Sequence, residues 1–484
     1  MINLIRNELT KIGKKKSIYI VILLTIAYMV LSNIMYYKNA GYSYSYYSDG
    51  YVSYIEEELA KLDPSKESDI TMYLDLKTQL EIAKLSEQYK AGSWQANIIQ
   101  NNAIEYIGEL VRYETLGITQ DQEYQEVKQN YEEFLEKLQE DDWKYFVNKE
   151  LDTVETQIAE IEESKNKTVD KSLLQQYEST LQDLTLQEKI LQWRLEKNIS
   201  YANSEENNRL NQYATYARQV NEQAQIEGKN HTQQKEYQEL VANMKLCEYD
   251  IIHNTNTQST DNAKGQLAYV FSNYEVFLLV LVIMVAGVMI SEEFNKGTIK
   301  LLLVKPYSRT KILLAKLITC FIILVLASIV LIALQGIIGG VIWGWDSYAV
   351  PVTVYDFNIN QVKEISIIPY VFTILLARMP MYILLITLSM AISTIVLNTA
   401  LAVILPFLGY FAGTILNQLS LIYNLQFMKF FVPLNWNLET YLYGGLGEMQ
   451  GMSMVFSIVI CLLYFLLMTV VMTIVFKKKN IKNI

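Results

Sequence analysis

The stretch EEFNKGTIKLLLVKPYSRTK, Glu292–Lys311, decides how this chain is read. It separates two apolar runs, Tyr269–Ile290 and one opening at Ile312. Each is long enough to cross a bilayer core, which takes about 20 apolar residues. Lys296, Lys300, Lys305, Arg309 and Lys311 punctuate the stretch around a short apolar burst, Ile299 with Leu301–Val304. Thr298 is placed to cap a helix made of that burst. Lys305-Pro306 would stop it, because proline disfavours helix in the residue before it. Ser308 is placed to cap the next helix. The segment reads either as a short amphipathic helix under a membrane, able to dock into a partner's groove, or as an interfacial loop whose lysines only enforce topology.

Outward from this stretch, the same length criterion finds six apolar runs: Ser17–Tyr37, Tyr269–Ile290, Ile312–Trp343, Ile367–Ile392, Thr399–Leu421 and Met454–Phe476. The first follows Lys14-Lys15-Lys16, as a signal peptide would. Its apolar run is too long for one and no small-residue cleavage site follows, so it reads as a retained signal anchor. Basic residues cluster before the first run (Arg6, Lys11, Lys14–Lys16), between the second and third, and after the last (Lys477–Lys479, Lys482). With six spans all three clusters fall on one side, and the other side's short loops hold only Lys363 and Lys429. The expectation is a multi-pass plasma-membrane protein with both termini cytoplasmic and residues 38–268 extracellular. Tyr36, Tyr37, Trp343, Trp345 and Trp436 would lie at the outer interface, where amphipathic rings gather.

Composition divides in the same place. The 484 residues are 51% hydrophobic, yet the net charge is −10. Residues 38–268 hold 23 Lys and Arg against 42 Asp and Glu, a charge of −19; the remainder carries +9. An acidic, water-soluble block sits inside a basic, apolar frame. Cys247 falls in the block and Cys320 and Cys461 in apolar runs, so neither a C-x-x-C site nor an internal disulfide in the block is expected.

The block is patterned for helices. Tyr124, Val127, Tyr131, Phe134 and Leu138 step by three and four; so do Val147, Leu151, Val154, Ile158 and Ile161. Leu174–Leu195 and Leu210–Ala224 carry similar narrow seams of the coiled-coil kind. SKNKTVDK, Ser164–Lys171, suits a hairpin turn. The expected fold class is an all-α membrane protein: six transmembrane helices plus a large extracellular helical, coiled-coil domain between spans one and two. That domain reads as a lid or receptor, or as a passive spacer. The Tyr- and Ser-rich GYSYSYYSDGYVSY at 41–54 reads as an adhesive surface or a linker.

No engine is encoded. There is no G-x-x-x-x-G-K-[ST]; EGKNHT at Glu227 lacks the first glycine and the hydroxyl after Lys229. His231 and His253 are the only histidines, and no H-E-x-x-H or Ser/His/Asp set occurs. The expectation is a non-enzyme without cofactor or metal, and no nucleic-acid partner.

Within the runs, Arg378 precedes Met379-Pro380 near the middle of the fourth. A charge there is costly and points to a substrate contact, a packing pivot or a snorkelling side chain. Lys316 is expected to snorkel, and Glu275 to sit at an outer mouth. Gly336, Gly340 and Gly344, and Gly409 and Gly413, recur every four residues, a spacing that lets helices approach within one subunit or between two.

The stretch SEEFNKGTIKLLLVKPYSRTKILLAKL, residues 291–317, resembles the cytoplasmic loop of type-2 ABC exporter permeases. Glu292, Glu293, Gly297, Thr298, Lys305, Pro306, Ser308 and Arg309 carry the resemblance. It implies that the loop at 291–311 is a coupling helix seated in a nucleotide-binding subunit. It also implies that residues 1–16 form an elbow helix ahead of span one (17–37), with spans two to six in 269–484. By that resemblance the chain is the permease half of an exporter of peptide, lipid-like or other amphiphilic cargo, with antimicrobial-peptide self-protection as one role. It would pair with itself or a second permease among membrane lipids and bind two ABC ATP-binding subunits, which alone hold ATP and Mg. FVPLNWNLETYLYGG, 431–445, would form short interfacial or re-entrant helices, as that family has before its last span. The large insert after span one departs from compact members. It suits a second reading, a receptor or secretion scaffold of the phage-infection-protein-like kind that needs no ATPase.

Overall fold

A computed structural model describes residues 1–39, 50–300 and 307–479. The tyrosine-rich stretch at 41–49 and the loop body 301–306, with Lys305 and Pro306, lie outside the described residues. The chain is predominantly helical and divides into two compact units. One comprises Met1–Ala40, Ile226–Ala242 and Asn256–Ile484; the other comprises Gly41–Gln225 and Asn243–Thr255.

Among the described residues the first unit contains six helices long and apolar enough to cross a membrane. In chain order, α1 (Ile2–Gly13) precedes the first of them, α2 (Lys16–Asn39). The other five are α12 (Val270–Asn295), α13 (Arg309–Trp343), α14 (Ile367–Val396), α15 (Thr399–Ile422) and α17 (Met454–Lys478). Short helices α11 (Ala263–Ala268) and α16 (Val432–Asn435) lie between them. Helices α12 and α14 are the most enclosed of the six, whereas α2, α15 and α17 expose most of their apolar side chains. That is the arrangement expected where lipid replaces water as the solvent.

Small polar side chains join these helices, since apolar surface alone does not hold helices together in hydrocarbon. Ser393 Oγ donates to Gly287 O at 2.7 Å, and Ser389 Oγ lies within donating distance of Ile283 O and Ala402 O. A side chain on Gly287 would meet Val403 Cγ2 at 2.7 Å, so glycine lets α12 and α15 touch. Helix α2 is tied in by Asn33, which exchanges amide bonds of 3.2 Å with Gln335 and contacts the Tyr274 hydroxyl.

Among the described residues the all-helical expectation has one exception. Strands β1 (Val352–Asp356) and β2 (Gln361–Ile365) pair antiparallel, Val352 opposite Ile365. The run VTVY is β-branched and aromatic, which favours strand. The stretch at 431–445 forms short helical turns that include α16.

The second unit is built from α3 (Tyr51–Leu59), α4 (Ile70–Ser86), α5 (Trp94–Leu116), α6 (Gln122–Gln139), α7 (Trp143–Lys167), α8 (Lys171–Glu196), α9 (Glu205–Ala224) and the second half of α10 (His231–His253). Helices α7 and α8 run antiparallel across Thr168–Asp170, with Gln187 on Glu150 and Lys165 on Glu178. Val147, Val154 and Leu191 fill the seam between them. Phe134, Phe146 and Ile99 centre a second core, and Leu210, Tyr213 and Cys247 a third.

Candidate functional site

The two ends of the 291–311 segment are held in different ways. At its start, α12 ends at Asn295, and Gly297 turns the chain with φ +68°, a left-handed conformation that a side chain would strain. Thr298 Oγ1 donates to Glu293 O at 3.4 Å, so the hydroxyl serves the end of α12. Ile299 is fully buried.

The carboxylates of Glu292 and Glu293 anchor this end to α1 and α13. Glu292 pairs with Lys15 and, at 2.7 Å, with Lys296. Glu293 pairs with Lys11 and, at 2.9 Å, with Lys316. Lys316 also reaches Glu8 at 3.0 Å. Lys316 is 1% exposed, and Glu8 and Glu293 are buried with it. Lys316 therefore does not snorkel: two buried carboxylates oblige its ammonium to stay, because removing it would leave them uncompensated. A cavity of about 240 Å³ lies beside the cluster, lined among others by Lys14, Lys15 and Thr298.

At its other end, Ser308 Oγ accepts from Lys311 N at 3.4 Å and caps α13. Arg309 Nη1 donates to the carbonyl oxygens of Lys477 at 2.8 Å, Lys479 at 3.0 Å and Phe476 at 3.3 Å. These carbonyls close α17, where the helix leaves acceptors without partners and its dipole favours a cation. Lys479 in turn donates to Thr394 O and Ile395 O at the end of α14. Glu292, Glu293, Gly297, Thr298, Ser308 and Arg309 thus all border one end of the helix bundle.

Sequence reasoning passed over Glu8 and read Lys11 and Lys15 only as charges that set topology. The signal was present: Leu4, Glu8 and Ile12 stand four apart on one face of α1, so an acid interrupts an otherwise apolar stripe.

Arg378 occupies a second buried cluster. Its Nε donates to Glu439 at 2.8 Å, and Nη1 to Phe271 O at 3.0 Å and Glu275 at 3.2 Å. Nη2 donates to Ser272 Oγ at 3.0 Å and reaches Glu439 at 2.8 Å. Each of the three guanidinium nitrogens therefore donates to a protein acceptor. Glu275, in the second turn of α12, belongs to this cluster and also accepts from Tyr410 at 2.7 Å.

The glycines differ among themselves. A side chain on Gly340 would strike Trp345 at 2.6 Å, and one on Gly413 would strike Pro433 at 2.7 Å. Gly336 and Gly409 face open space, and Gly344 ends α13 with φ +90°. Among the described residues no group of His, Cys, Asp and Glu is arranged to hold a metal ion.

Apart from the residues of α1 and Lys15, these features fall within a shared sequence region. The chain belongs to DUF2705, a family of proteins of unknown function, whose match spans residues 240–482. It is similar to the uncharacterized protein YhcI of Bacillus subtilis (strain 168), 26% identical over 249 residues, which are 51% of this chain and 77% of that one. It is likewise similar to YdbK of the same organism, an uncharacterized membrane protein, 26% identical over 227 residues, which are 46% of this chain and 85% of that one. No solved structure matches the chain. Six apolar helices and the likeness to a membrane protein make this a membrane protein.

Proposed function

We propose that this chain is the membrane permease subunit of an ATP-driven exporter of the type-2 ABC kind. In this reading the 291–311 segment is the contact through which separate ATP-binding subunits drive the membrane helices. The observation that carries it is the anchoring of that segment. Its first end is bound by Glu292 and Glu293 to α1 and α13, and its second by Arg309 to the end of α17. A push on the segment would reach four helices at once through ion pairs and helix ends rather than through a slack loop. The termini would be cytoplasmic and the acidic helical unit extracellular, as the basic flanks predict. Arg378, with each guanidinium nitrogen donating to a protein acceptor, would act as a packing pivot. Two permeases and two ATPases would complete the machine, and the cargo class would be amphiphilic.

The test is purification of the full chain from its native membrane in mild detergent. An ATP-binding-cassette protein should co-purify in near-equal amount and be lost when residues 297–309 are scrambled. Gly297→Trp combined with Thr298→Trp should leave the chain in the membrane while uncoupling ATP hydrolysis from transport. Recovery of the chain without any ATPase would favour the receptor or secretion-scaffold reading, which the size of the helical unit at 41–225 supports.

A further inference from the structure

A groove of about 420 Å³ runs between α1, α2, α12 and α13. Its wall is apolar, with Ile12 and Leu9 from α1, Ile22 from α2, Leu281 from α12, and Ile323 and Leu331 from α13. The one side chain in it with a polar atom is Thr25, and that hydroxyl is already spent on Val21 O at 2.8 Å. Such a wall offers no hydrogen bond and stays dry. It therefore selects a hydrocarbon occupant. Along α13 the lining runs from Ile323 to Leu334, a rise of about 16 Å, which is about one leaflet of a hydrocarbon core. Leu326 and Val330 on its rim are exposed, so the groove is open along the flank of α13.

The groove adjoins a cavity lined by four lysines and three glutamates. Ile12 lines both the groove and this polar cavity beside Glu292 and Glu293. That cavity also carries Lys14, from the run Lys14-Lys15-Lys16. Lys15 is committed to Glu292 and Lys11 to Glu293. Lys14 and Lys16 are exposed and have no carboxylate within 4.0 Å among the described residues. An apolar slot one leaflet long, adjoining a cavity that carries Lys14, with Lys16 two residues further along the chain, matches a molecule with a hydrocarbon tail and an anionic head.

We propose that this groove binds one acyl chain of an anionic phospholipid, whose phosphate is met by Lys14 and Lys16. The lipid would wedge α1 against α2 and α13, beside the ion pairs that hold the 291–311 segment. The proposal rests only on the membrane location of the chain. Its failure would leave the exporter reading intact, and the absence of an ATPase partner would leave this site intact.

The test uses the full purified chain in mild detergent, offered phosphatidylglycerol or phosphatidylcholine, with bound lipid counted by mass spectrometry of the intact complex. Phosphatidylglycerol should be retained preferentially. Lys14→Ala with Lys16→Ala, both on exposed side chains, should weaken that preference by about fivefold per lysine. Ala327→Phe, which fills the groove, should reduce retention of both lipids while the protein still elutes as the native species. Equal retention of the two lipids by the native chain would overturn the proposal. So would an undiminished preference in the double lysine variant. Competition by soluble glycerol phosphate would also overturn it, because the head alone would then suffice.

Discussion

Lys316 carries more of the local arrangement than its place in an apolar run suggests. It faces Glu8 and Glu293, and Lys11 supplies the second positive charge. Replacing one member of a buried ionic set leaves the others uncompensated, at a cost of about 3–5 kcal/mol. Lys316→Met should therefore lower the unfolding temperature of the detergent-solubilised chain strongly, and adding Glu8→Gln should restore part of the loss. A Lys316→Met protein as stable as the parent would refute the clamp. In the acidic helical unit, Glu248 lies 2.7 Å from Lys245 and 2.9 Å from Lys189. Burial pushes its pKa up, but the two ammonium groups more than offset this and hold it below the usual carboxylate range. A depressed carboxylate contributes stability that is present above its unfolded value, about 4.3, and is lost as pH falls through its lower folded value. Hydrogen exchange along α8 and the second half of α10, corrected for intrinsic rate, should speed up below about pH 4.3. Glu248→Gln should remove that dependence.

Among the elements, α12 and α14 were legible as apolar spans, but their neighbours were not. Three glycines spaced by four in and at the end of α13, and two in α15, suggested the contact points. The tight contact of α12 with α15 is instead made at Gly287, which belongs to no such repeat. The reason is physical: a glycine matters where another backbone arrives, and arrival depends on helix rotation as well as on spacing. Gly340→Val and Gly413→Val should lower the yield of folded protein, because each side chain meets a ring already in place. Gly336→Val and Gly409→Val should leave the yield of the single chain unchanged. If all four substitutions behaved alike, the packing assigned to Trp345 and Pro433 would be wrong. Arg378 illustrates the same limit. Its charge was conspicuous in the sequence, but Glu439, its partner, is 61 residues away beyond two further helices.

For the whole molecule, orientation can be tested with its own cysteines silent. Cys247, Cys320 and Cys461 are all buried, and burial pushes the Cys247 thiol up to about 11. Val169 is 95% exposed at the tip between α7 and α8. In intact cells Val169→Cys should react with a membrane-impermeant maleimide, whereas Lys14→Cys should react only after permeabilisation. The reverse pattern would invert the proposed topology. What the sequence determined by itself was the set of six apolar helices, the acidic helical block between the first two, and the position of the charged segment at Glu292–Lys311. These follow from local composition and period, which act over lengths of one helix. Only the tertiary structure decided that Glu8 and Glu293 close on Lys316, that Arg309 closes α17, and that each nitrogen of Arg378 meets an acceptor. A buried charge is tolerable only where partners from distant segments converge on it, and that convergence is a property of packing, not of any one segment.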